Sequence, residues 1–165
     1  MLTVNLFAFL LGVIMALPAA LAMPFPSFFE GFIPNLAVLL LLFTALFLYI
    51  VLHEAIHGIF MKKYSNVKPH FGFKGIMYAY AASDAFFDKR SYMIIALAPV
   101  VLLGLVLFII NLIVPAAWFW FVFIIQIMNV SGAAGDIYVL NIIRKSPADL
   151  MVSDAGVSMK IYSRS

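Results

Sequence analysis

Residues 36–61 read LAVLLLLFTALFLYIVLHEAIHGIFM, with one charged side chain, Glu54, between two histidines, His53 and His57. Backbone polar groups facing lipid must be satisfied internally, so about 20 mostly apolar residues in a row read as a transmembrane helix. The same stretch holds a complete H-E-x-x-H, His53-Glu54-Ala55-Ile56-His57. On a helix, residues four apart stand one turn above each other, so both imidazoles face one point. One stretch therefore predicts both a membrane helix and a candidate metal site within it.

Three more runs have that length and character: about 2–22, 92–114 and 116–143, the last two parted by a tight turn at Pro115. The expected fold class is an all-α membrane protein with four transmembrane helices, forming a single integral membrane domain over residues 1–165. All ten Lys and Arg fall in two places. Lys62, Lys63, Lys68, Lys74, Lys89 and Arg90 lie in the loop 62–91, and Arg144, Lys145, Lys160 and Arg164 in the tail 144–165. Two segments separated by an even number of crossings share one side, and the positive-inside rule makes that side cytoplasmic. The topology is then N-in, C-in. Ala20-Leu21-Ala22 offers a rival reading of the first run as a signal peptide, but no Lys or Arg precedes it.

Composition agrees. Of 165 residues 66% are hydrophobic and 10% charged, against about 25% charged in a soluble domain. The net charge of +3 comes from too few basic residues for a nucleic-acid binder. With no cysteine, a metal must be held by His, Asp or Glu.

Of seven acidic residues, only Glu54 and Asp136 lie inside apolar spans. A carboxylate there costs about 2.5–3.5 kcal/mol on insertion scales and is a functional candidate. Two histidines, a third protein ligand and a water make a catalytic zinc site, with the intervening Glu as general base. Depth selects the third ligand. His53 and Asp136 each lie about 12–14 Å inside the basic end of their helix, whereas His70 is in the loop. Asp136 is the expected ligand, and Zn2+ the expected cofactor.

Asn129 precedes Asp136 by seven residues, within Asn-Val-Ser-Gly-Ala-Ala-Gly-Asp. It could hold an oxyanion or substrate carbonyl, or make an interhelical hydrogen bond. The small residues permit close packing or local unwinding. Pro99 frees the carbonyl four residues back and kinks its helix. The loop stretch Phe71-Gly-Phe-Lys-Gly-Ile-Met-Tyr-Ala-Tyr80 reads as an interfacial amphipathic loop or as a short β-hairpin. The edge of such a hairpin could pair with an extended substrate. The tail is short and polar, with no second domain.

An HExxH on one span, Ala96-Leu97-Ala98-Pro99 on the next and an Asn…Asp segment on the one after resemble the site-2 proteases. These are intramembrane zinc metalloproteases with a three-helix core. The chain is still more similar to the bacterial membrane zincin peptidases, over about residues 36–143. The resemblance implies His53, His57 and Asp136 as zinc ligands and Glu54 as catalytic acid/base. Gly132 and Ile137 stand where site-2 proteases usually carry proline and glycine, and the Asn-to-Asp spacing is one residue shorter. The expected function is hydrolysis of a membrane-embedded or membrane-adjacent protein or peptide near the cytoplasmic face of a bacterial membrane. The alternatives are a non-proteolytic metal-binding regulator or carrier, and a transporter using Glu54 and Asp136.

Overall fold

The computed structural model describes residues 2–23, 35–75, 78–156 and 158–162. The loop carrying Glu30 and the tail residue Arg164 lie outside them. Its helices are α1 (Leu2–Ala22), α2 (Leu36–Ser65), α3 (Lys89–Ile113), α4 (Phe119–Gly132) and α5 (Ala134–Lys145), with a 3-10 turn at Ala116–Trp118. Its strands are β1 (His70–Lys74), β2 (Tyr78–Ala82), β3 (Phe86–Asp88), β4 (Met151–Asp154) and β5 (Met159–Tyr162). Among the described residues four helical stretches are long and apolar enough to cross a membrane: Leu2–Ala22, Leu36–Ser65, Lys89–Ile113 and Ala116–Lys145. The protein is mostly helical, with short strands.

The ends of these stretches follow local chemistry. Asn35 opens α2 by accepting the Ala37 amide at 3.1 Å on its Oδ1. Lys62 and Lys63 extend the same helix beyond its apolar run, because cations favour the negative end of the helix dipole. Asp88 begins α3 before its apolar run: one carboxylate oxygen accepts the Ser91 amide at 3.0 Å and the other the Ser91 hydroxyl at 2.7 Å. Those bonds, the hydroxyl's foremost, hold the Asp88 carboxyl below the ordinary aspartate range.

The fourth apolar run differs from the expected single helix. It breaks at Ala133, whose φ of −76° and ψ of 7° leave the helical region after Gly132. The small residues there thus give local unwinding, and Asp136 falls in the first turn of α5.

The chain forms two compact units, Met1–Tyr49 with Leu102–Gly135 and Ile50–Val101 with Asp136–Ser165. In the first, α1 packs on α4. Gly12 of α1 sits against Ile127, where a Cβ would stand 3.5 Å from its Cγ2. Asn129 is fully buried in this unit and accepts the Tyr49 hydroxyl at 3.2 Å on its Oδ1.

In the second unit, β1 and β2 form an antiparallel hairpin in which Phe71 faces Ala81 and Gly72 faces Tyr80. Of the two readings of this stretch, the hairpin is the one observed. A separate antiparallel sheet runs β3-β4-β5, with Phe87 opposite Val152 and Val152 opposite Ile161. The tail is therefore more than a polar extension. Phe87, Leu150, Val152 and Ile143 join Met61, Tyr92 and Ile95 in the buried core. Lys89 fastens the end of α5, its Nζ donating to the carbonyls of Arg144 at 3.0 Å and Ser146 at 2.7 Å. Such carbonyls have no helical donor, and a cation suits them.

Candidate metal centre

Each side chain of the candidate centre comes from a residue of the second unit. The one-turn spacing on α2 brings the His53 and His57 rings to 4.9 Å between centroids, nearly edge to face. Asp136, from the first turn of α5, points Oδ2 at both. It lies 3.3 Å from His53 Nε2 and 3.6 Å from His57 Nε2. Both histidines are buried. These three residues offer ligand atoms within 4.8 Å of one another and could hold a metal ion.

The donor set fits zinc. Four-coordinate zinc with bonds of about 2.0–2.1 Å spaces its ligand atoms about 3.3 Å apart, close to both nitrogen–oxygen separations. The tautomer fits as well. His57 Nδ1 lies 3.0 Å from the carbonyl oxygen of Ile95. A carbonyl only accepts, so in the neutral ring the proton sits on Nδ1 and Nε2 presents a lone pair. That lone pair faces a carboxylate oxygen, and either a shared metal ion or a second proton on the ring satisfies the pair.

Glu54, next to His53, turns its carboxylate another way. Its Oε2 accepts the Ala81 amide of β2 at 2.8 Å. The Ala81 N–H is thus directed to the side of β2 away from β1. Glu54, His57 and Asp136 line one small cavity of about 80 Å³, with Tyr80, Ala81 and Tyr92 also on its walls. Asp154 closes the wall by accepting the Tyr92 hydroxyl at 2.5 Å and the Gly156 amide at 2.8 Å.

Two glycines let the hairpin sit there. A Cβ on Gly58 would fall 2.3 Å from Cζ of Phe71. One on Gly156 would fall 2.2 Å from Cδ2 of Tyr80, and Gly156 has a φ of +77° that an L side chain rarely adopts. Gly58 follows His57 directly, and a glycine inside a helix costs about 1 kcal/mol against alanine. That was the one signal in the sequence that something must approach α2 at this point.

The structure thus brings together His53, His57 and Asp136, with Glu54 on the cavity that His57 and Asp136 line. His70 stands apart from them, exposed and 3.2 Å from Asp84 at the start of the hairpin. Asn129 belongs to the other unit, where it bonds Tyr49. Tyr92, Asp154, the Ile95 carbonyl and the Ala81 amide were not singled out from the sequence. The last two are backbone groups, which no residue type announces.

Residues 46–151, more than half of the chain, match the family described as "Putative zincin peptidase". The match spans the HExxH turn of α2, the hairpin, α3 and Asp136 of α5. No curated protein and no solved structure matches the chain.

Proposed function

We propose, on the premise that this chain belongs to the "Putative zincin peptidase" family, that it is an intramembrane zinc metallopeptidase of the site-2-protease type. The observation that carries the reading is the convergence of His53 Nε2, His57 Nε2 and Asp136 Oδ2 beside Glu54, on helices apolar enough to cross a membrane. His53, His57 and Asp136 hold the zinc. Zinc bound there supplies a Lewis acid for the scissile carbonyl and acidifies water.

The chain's own residues do the rest. Glu54 Oε2 takes a proton from the attacking water and delivers it to the leaving amine as the C–N bond breaks. His57, hydrogen-bonded through Nδ1, keeps its other nitrogen directed at the site. A helical substrate hides its scissile carbonyl, so the peptide must be drawn out extended. The side of β2 away from β1, where Ala79 and Ala81 border the cavity, offers main-chain partners for such a strand. Glu54 exchanges its bond to Ala81 for one to water when that strand docks. The distribution of Lys and Arg puts this end of the helices on the cytoplasmic side, and the substrate is a membrane-embedded or membrane-adjacent segment cut near that face. For Asn129, the bond from Tyr49 supports the structural reading over the oxyanion one.

The test uses the detergent-purified protein and a transmembrane peptide library read by mass spectrometry. The expected results are about one zinc per chain, metal-dependent cleavage, and a Glu54→Gln variant that keeps zinc while losing about 10²–10⁴-fold in rate. A protein that stays empty after reconstitution with zinc would refute the proposal. A Glu54→Gln variant cleaving at the wild-type rate would refute the role of Glu54.

A further inference from the structure

The Ile95 carbonyl that orients His57 is available for a reason four residues away. In an α-helix the carbonyl of residue 95 accepts the amide of residue 99. Residue 99 is Pro99, inside α3, and proline has no amide hydrogen. Ile95 and Pro99 are both buried, so a carbonyl left without its helical donor is costly there. His57 Nδ1–H reaches that oxygen at 3.0 Å. Each side meets the other's need: the carbonyl gains a donor, and the imidazole gains a fixed tautomer and ring angle.

We infer that Pro99 is a positioning residue for the metal centre: by withholding its amide, it reserves the Ile95 carbonyl for His57 and so directs His57 Nε2 toward Asp136. This rests on the zinc reading above but assigns a role outside the ligand set and the acid/base. The physical argument is competition for one oxygen. With an amide at position 99, the carbonyl would turn into the helix ladder and His57 could populate either tautomer. One of those tautomers buries its lone pair on Nδ1, away from the site. Partners that fix a ligating histidine in this way typically carry a 10–100-fold effect on metal affinity.

The test is Pro99→Ala in the full chain, with Pro18→Ala, which removes the proline inside α1, as control. Alanine favours a helix interior far more than proline, so the variant is expected to fold. Zinc affinity is measured by chelator competition, and the His57 tautomer by 15N spectra of histidine-labelled, metal-free protein. The expected result is a zinc Kd raised about 10–100-fold, with a mixed His57 tautomer in Pro99→Ala and neither change in Pro18→Ala. If wild type binds zinc and Pro99→Ala binds it within about twofold, the positioning role is overturned and the metallopeptidase reading stands. Weaker zinc binding with an unchanged tautomer would also overturn it, since helix displacement would then be the cause. A wild type that takes up no zinc would sink the metallopeptidase reading, and this inference with it.

Discussion

Gly156→Ala perturbs the wall of the cavity beside Glu54, His57 and Asp136 without touching a proposed ligand, and its cost can be divided in advance. Gly156 has a φ of +77°, in the left-handed region. An L residue held there costs about 1–2 kcal/mol. The new Cβ would also stand 2.2 Å from Cδ2, 2.9 Å from Cγ and 3.1 Å from Cβ of Tyr80. The last two atoms lie near the base of the side chain, so rotating the ring does not clear them. Overpacking of this kind costs about 1–3 kcal/mol. The expected total is about 2–5 kcal/mol, measured by equilibrium unfolding in mixed detergent micelles. A double-mutant cycle separates the two parts. A Tyr80→Ala background removes the two closest contacts and leaves only the 3.1 Å one to Cβ, so Gly156→Ala should there cost little more than the backbone share, about 1–2 kcal/mol. Peptide cleavage should fall as well, because Tyr80 precedes Ala81, whose amide holds Glu54. A cost below about 1 kcal/mol with Tyr80 present, or the same cost in both backgrounds, would refute the reasoning.

His53→Ala and Asp136→Ala should each lose most of the bound zinc, whereas His70→Ala, outside the cluster and paired with Asp84, should keep it; metal analysis of the purified variants decides. Asp88→Ala should cost about 1 kcal/mol at neutral pH through the lost cap of α3. The Ser91 hydroxyl and amide hold that carboxyl below its ordinary value, so its stabilisation is full above about pH 4 and fades as pH falls through the lowered folded pKa. The gap between wild type and variant should therefore close in acid, and a gap that widens there would contradict the assignment. Tyr49→Phe should destabilise by about 1–2 kcal/mol, since it strips a donor from buried Asn129. Zinc content should not change, and a fall in it would contradict the structural reading of Asn129.

Most of the helical frame was legible because its signal is one-dimensional. An apolar run such as 2–22 is read from the residues it contains, and α1 occupies that range. The convergence of His53, His57 and Asp136 was legible for a similar reason. His53 and His57 sit one turn apart on any helix, and Asp136 is rare chemistry at a matching depth. The break in the fourth apolar run was half legible, since Gly132 and Ala133 permit unwinding without requiring it. The β3-β4-β5 sheet was not legible. Phe86–Asp88 is too short to show a period of two, and its partner Met151–Asp154 lies far along the chain. Pairing of that kind depends on what the core brings together, and neither Phe87 nor Val152 declares it alone.

The two side chains nearest the proposed chemistry are each steered by main-chain atoms, Glu54 by the amide of residue 81 and His57 by the carbonyl of residue 95. Genetic variation edits side chains and leaves those atoms in place. Position 81 can therefore accept any small residue and still supply its hydrogen, with proline the one replacement that deletes it. Position 95 answers only to the volume of its buried niche. A deep mutational scan would read both as packing positions, sensitive to size and polarity, and would miss what their backbone atoms do. The orientation of this centre is inherited through the fold itself, out of reach of most single-codon changes.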